Sequence, residues 1–177
     1  YQPRNAAVAI TALRVLRGRG WHIPEQAIRK GLETVKWPGR FELLRRAPAF
    51  VLDGSHNAHG MRATVQSLRD RFPGEKFVFL LSIMADKDVD EMLDLLAPLA
   101  KQFVTVAAHT PRALPAETLA EAIRTRSIPA EAAPVIEEGV ARAVELGGKG
   151  PVCALGTLYF SGEVREAFQK LTLSDKA

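Results

Sequence analysis

The sequence predicts a mixed α/β fold: a mostly parallel sheet with helices on both faces and one antiparallel strand at its N-terminal edge. Three observations predict it. From residue 41 onward, short apolar runs alternate with segments of helical periodicity, the pattern of strand–helix–strand units. The run Phe77–Ile83 is apolar almost throughout, as a strand covered on both faces must be. Two strand-like segments, Phe41–Arg45 and Ala49–Leu52, are separated by only three or four residues. A parallel crossover needs far more chain, so these two pair as a hairpin.

The elements follow in order. Val8, Ile10, Leu13, Val15 and Leu16 suit a helix over Asn5–Arg17 with an alanine-rich inner face, ended by Gly18 and Gly20. Pro24–Val35 reads as a second helix, with Pro24 where a first turn tolerates it. Trp37-Pro38-Gly39 breaks the chain, so residues 1–38 are expected to be a helical pair belonging to a preceding domain and 39–177 a domain of their own. After the hairpin come a helix over Asn57–Phe72, the strand Phe77–Ile83, a helix over Val89–Leu99 and a strand over Phe103–Ala107. A helix over Pro115–Arg124, a short strand near Ala130–Ala133 and a helix over Val135–Leu146 follow, then the strand Val152–Leu155 and a last helix over Ser161–Leu171. The tail after Leu173 is expected to be loose.

Bulk properties narrow the function. The chain has 177 residues, 47% hydrophobic and 25% charged, with no run long and apolar enough to span a membrane. It starts at Tyr1 without the basic and apolar segments of a signal peptide, so Tyr1 is expected to be a cut point inside a longer protein. The net charge is +4, but the basic residues are dispersed and aromatics are few, which argues against a nucleic-acid surface and suits small anionic substrates. Cys153, the sole cysteine, lies in an apolar run and reads as a buried thiol, compatible with a reducing cytoplasm.

Chemistry in such sheets sits beyond the carboxyl ends of the strands. Asp53-Gly54-Ser55-His56-Asn57 occupies such a place. Asp53 is expected to point out of the sheet edge, where its carboxylate accepts ribose hydroxyls, and His56 to stand at a helix N-terminus, where an anion is favoured. A capped turn with an exposed histidine is the plain alternative. Arg40 follows the rigid Pro38-Gly39 turn and suits a phosphate or the edge of a nucleotide. In Met84-Ala85-Asp86-Lys87-Asp88 either aspartate could merely cap the next helix, while Lys87 could meet an acidic substrate. His109-Thr110-Pro111-Arg112 follows a further strand. No histidine or carboxylate spacing reads as a metal site. There is no G-x-x-x-x-G-K-[S/T] loop, no G-x-G-x-x-G and no G-x-S-x-G, and Gly147-Gly148-Lys149-Gly150 precedes a strand. A chain that handles ATP without these devices must have the phosphates held elsewhere.

The blocks Trp37-Pro38-Gly39-Arg40-Phe41-Glu42, Asp53-Gly54-Ser55-His56-Asn57, Met84-Ala85-Asp86-Lys87-Asp88 and Gly156-Thr157-Leu158-Tyr159-Phe160-Ser161-Gly162-Glu163-Val164-Arg165 resemble, in this order, those of folylpolyglutamate and dihydrofolate synthases, in the Mur ligase superfamily. Tyr1-Gln2-x-x-Asn5-Ala6-Ala7 resembles the end of that family's central ATPase domain. The likeness covers nearly the whole chain. It implies a Rossmann-like sheet of Mur ligase C-terminal domain type, and an ATP- and magnesium-dependent ligase that adds L-glutamate to folate, with dihydropteroate as a second candidate substrate, through an acyl phosphate. The phosphate loop, magnesium ligands and pterin site would lie in an N-terminal ATPase domain that this chain lacks, so the chain alone should be inactive, monomeric and cytoplasmic. By motif match Asn5 and Arg40 would contact the nucleotide and Asp53 the ribose. His56 would serve the base or the incoming glutamate, with Lys87, Thr157 and Tyr159 near the glutamate; His56 and Lys87 are the catalytic candidates. Ala58 stands where many relatives have proline, Tyr1 where they have histidine and Thr157 where serine is common. Two other readings are a non-catalytic flavodoxin-like binding module and the C-terminal domain of a cell-wall Mur ligase.

Overall fold

Alternation along each strand builds two apolar layers, one on each side of a six-stranded sheet. The computed structural model describes residues 2–174, and its strands are β1 (Glu42–Arg46), β2 (Ala49–Leu52), β3 (Phe77–Leu81), β4 (Ala100–Thr105), β5 (Ala130–Ala132) and β6 (Val152–Leu155). They lie in the order β1-β2-β6-β3-β4-β5. Every adjacent pair is parallel except β1 and β2, the hairpin expected from the short connection. Phe50, Leu52, Val78, Leu80, Val104 and Ala154 face one side, while Val51, Phe79, Leu81, Phe103, Cys153 and Leu155 face the other. This is the two-residue period of a strand read twice over, and it explains why β2, β3 and β6 lack polar positions.

Five helices cover the two faces. Val140 and Ala143 of α6 (Ile136–Gly147) and Val164 and Phe168 of α7 (Ser161–Ser174) close the first layer. Met61, Val65 and Leu68 of α3 (Ala58–Arg71), Met92 and Leu96 of α4 (Val89–Leu96) and Leu119 and Ile123 of α5 (Ala116–Arg124) close the second. Most element limits differ from the expected ones by one or two residues. Larger differences have local causes. The helix expected through Leu99 tightens to a 3-10 turn at Ala97–Leu99, where Pro98 interrupts it. The fourth strand begins three residues earlier than expected, at Ala100, because Ala100 and Gln102 already pair with β3 although Lys101 and Gln102 are polar. The third ends at Leu81, before Ser82, whose backbone turns toward the crevice described below.

The chain divides into two compact units, up to Pro38 and from Gly39. The first holds α1 (Gln2–Gly18) and α2 (Glu25–Thr34). The five apolar positions whose spacing suited a helix do lie on one, α1, but not on a single face. Val8 and Val15, seven residues apart, fall together and are 71% and 53% exposed, while Ile10 and Leu13 lie on the opposite side and are half-buried. Tyr1 and the chain after Ser174, for which a loose tail was expected, lie outside the described residues. No described helix is long and apolar enough to cross a membrane.

Candidate functional site

The carboxyl ends of β2, β6 and β3 meet where the chain departs to opposite sides of the sheet. After β2 it runs into α3 on one face, and after β6 into α7 on the other. Such a divergence opens a crevice between the departing loops. A cavity of about 410 Å³ lies there, lined by His56, Met84, Lys87, Arg112, Thr157, Leu158 and Tyr159. The topology thus gathers four of the residues singled out in the sequence, His56, Lys87, Thr157 and Tyr159, from three separate loops.

The loop after β2 is organised around Asp53. Its side chain is fully buried, not directed out of the sheet edge as expected. Oδ1 accepts hydrogen bonds from the Ser55 N–H at 2.9 Å and from the Ser55 and Thr64 hydroxyls, and Oδ2 accepts from the Phe41 N–H at 2.7 Å. A buried carboxylate needs such donors to offset its lost hydration. A ribose hydroxyl could reach it only by replacing one of them. Gly54 follows because a Cβ there would overlap the Leu158 side chain and crowd the Gly39 carbonyl. Asn57 then caps α3, its side chain accepting from the Gly60 N–H at 2.8 Å. Ala58 begins the helix.

His56 is half-buried, with Nδ1 3.0 Å from the Gly54 carbonyl oxygen. A carbonyl can only accept, so Nδ1 donates to it and Nε2 is left for another partner. Across the cavity, Lys87 Nζ donates to Asp86 Oδ2 at 2.9 Å, and Arg112 Nη2 donates to both Asp86 oxygens at 3.0 Å. The hydrogen bond from Lys87, then that from Arg112, lowers the Asp86 carboxyl to about 2. Arg112 is brought here by the backbone: the Ala85 N–H donates to the Arg112 carbonyl at 2.8 Å, and Met84 bridges Ala113. Thr157 is buried and accepts from the Tyr159 N–H at 3.1 Å, leaving Tyr159 64% exposed at the rim.

Arg40 is half-buried beside this crevice and is not among the cavity-lining residues; its guanidinium has no hydrogen bond or ion pair among the described residues. The flanking Gly39 and Phe41 both have positive φ, 72° and 48°. For phenylalanine that backbone costs on the order of 1 kcal/mol, and the Asp53 hydrogen bond holds it. Asn5 is exposed on α1, in the other unit. His109 pairs with Glu163 at 2.6 Å and is largely exposed. Among the described residues no group of three histidine, cysteine or carboxylate side chains stands ready to hold a metal ion. Arg112 is the cavity residue that motif reading did not assign; its place just past a strand end was the available signal. Cys153 is fully buried, as its apolar run implied, and burial together with the Asp53 charge pushes its thiol well up.

The fold and site thus present a crevice at the divergence of two parallel strands, with a histidine and two cations around it and no phosphate loop in the sequence. The chain belongs to the Mur ligase family, glutamate ligase domain, whose profile matches residues 39–156. Among curated relatives, folylpolyglutamate synthase of Lacticaseibacillus casei is 32% identical over 94% of this chain and 38% of its own length. The dihydrofolate synthase/folylpolyglutamate synthase of Mycobacterium tuberculosis is 36% identical over 71% of this chain and 26% of its own. Among solved structures, M. tuberculosis folylpolyglutamate synthase complexed with ADP and AMPPCP superposes with a TM-score of 0.76 at 31% identity, over 84% of this chain and 36% of that one. The Yersinia pestis bifunctional folylpolyglutamate synthase/dihydrofolate synthase with Mn, AMPPNP and L-glutamate bound gives 0.76 at 27%, over 90% and 38%. The chain therefore spans well under half the length of the relatives it matches. Membership of this family sets aside the flavodoxin-like module.

Proposed function

We infer that this chain is the C-terminal part of an ATP-dependent ligase that adds L-glutamate to folate. One observation carries the reading: a single cavity joins His56, Lys87, Arg112 and Thr157 from four strand ends, in a chain that has no phosphate loop of its own. Incoming glutamate carries two carboxylates and an amine. Lys87 and Arg112 suit the carboxylates, Arg112 through a two-pronged guanidinium contact. Unprotonated Nε2 of His56 suits the amine, as acceptor of the proton it sheds on attack. Thr157 and Tyr159 line the same wall. Asn5 and Arg40 belong to the nucleotide side, Arg40 because its guanidinium is free for a phosphate. Magnesium finds no cluster of ligands among the described residues and belongs with an ATPase domain that residues 1–38 would end.

Joined to that domain, the present unit closes over an activated carboxylate, excludes water and holds the amine in line. ATP, folate and glutamate are then its small-molecule partners, the ATPase domain its protein partner, and the cytoplasm its location. The test is ADP release by the full-length enzyme. It should require both folate and L-glutamate, and Arg112→Ala or Lys87→Ala should raise the KM for glutamate about tenfold or more while changing that for ATP little. Activity with muramyl peptides in place of folate, or glutamate KM values untouched by both substitutions, would overturn the reading.

A further inference from the structure

The peptide groups on either side of Arg40 are each taken by a carboxylate. The Gly39 N–H donates to Glu42 Oε2 at 2.7 Å, and the Phe41 N–H donates to Asp53 Oδ2 at 2.7 Å. Neither carboxylate is free to drift. Arg165 of α7 grips Glu42 with Nη2 at 2.6 Å and Nε at 3.3 Å. That grip, the largest influence, holds the Glu42 carboxyl below its usual range, with the Gly39 N–H adding to it. Asp53 is held by Ser55 and Thr64. Leu158 and Ser161 pack against the open side of Gly39. The turn is thus tied at both ends to groups that come from β1, from the loop after β2 and from α7, while the side chain it carries has no hydrogen-bond or ion-pair partner among the described residues.

We propose that Glu42, Arg165 and Asp53 are positioning residues for Arg40, fixing the two peptide groups beside it so that its guanidinium is presented in one direction to a phosphate of the bound nucleotide. The proposal rests on the reading of Arg40 as a nucleotide contact. None of the three needs to touch the nucleotide. A strained turn released from its carboxylates would spread Arg40 over several directions, and each would meet the phosphate less often. On this account Asp53 supports nucleotide binding from inside the loop.

The test is a double-mutant cycle in the full-length enzyme, reading the KM for ATP, the KM for glutamate and the thermal midpoint. Arg40→Ala should raise the ATP KM about tenfold. Glu42→Leu should raise it by about threefold or more and leave the glutamate KM unchanged, and Glu42→Gln, which keeps an acceptor for Gly39, should restore much of the loss. In the Arg40→Ala background Glu42→Leu should add nothing, because it acts through the side chain already removed. Losses that multiply, or a Glu42→Leu enzyme with a lowered thermal midpoint and an unchanged ATP KM, would overturn the positioning role while leaving Arg40 as a contact. An Arg40→Ala enzyme with an unchanged ATP KM would overturn both. If Glu42→Leu yields no folded enzyme, Arg165→Met, which leaves Gly39 its acceptor, enters the same cycle with the same outcomes.

Discussion

At the scale of single residues, charge and burial decide what each group can do. Asp86 holds Lys87 and Arg112 at the cavity wall, and its carboxyl is lowered to about 2 from an ordinary 3.8. A depressed carboxyl contributes its stabilisation fully above the ordinary value and loses it as pH falls through the folded one. The interaction should therefore stay intact throughout the neutral range and fail only between about pH 4 and 2. Carbon NMR of the side-chain carboxyl should give a midpoint near 2, returning toward 3.8 in Lys87→Ala; a native midpoint at 3.8 would remove the cluster. Cys153 is the opposite case, a thiol raised by burial and by the nearby Asp53 charge. It should resist iodoacetamide in the native chain and react on unfolding; modification at the rate of an exposed cysteine would contradict its place in the sheet. Residue types at strand ends were legible in the sequence for His56 and Lys87, whereas Thr157 and Tyr159 came from the family resemblance. The direction of Asp53 was not, since its inward turn depends on Thr64 and Phe41, eleven residues after it and twelve before it.

At the scale of elements, the motifs turn out to contact one another. Gly54 makes room for Leu158, and Gly39 packs against Leu158 and Ser161. The short motif blocks around Gly39, Gly54 and Leu158 are therefore three sides of one joint. Gly54→Ala should destabilise the chain by about 1–3 kcal/mol, since an added methyl overlaps Leu158. Leu158→Ala in the same chain should recover part of that loss, because the overlap is with a side chain. Urea unfolding of the two variants measures both, and an equal loss with and without Leu158 would show the joint to be misread. Helix and strand identities were legible from periodicity in every case. The failures arose where a pattern served two masters: Val8 and Val15 were counted with Ile10 and Leu13 although seven-residue spacing puts them on the far side of α1.

At the scale of the whole molecule, the two units are unequal. Both apolar layers are built from residues after Pro38. A chain trimmed to residues 39–174 should therefore melt within a few degrees of the longer one by circular dichroism; a loss of cooperative unfolding on trimming would show that the helical pair is part of the same core. The parallel sheet and its hairpin edge followed from the sequence alone, but the strand order did not. Nothing local in Val152–Leu155 says that it lies between β2 and β3. That placement reaches beyond the finished fold. The strand between the first two parallel strands is the last to leave the ribosome, and Glu42 waits 123 residues for Arg165. Until synthesis reaches α7, the sheet has a gap at its middle and the Arg40 turn lacks one of its anchors. The Arg40 turn therefore becomes fully anchored only once α7 has been made.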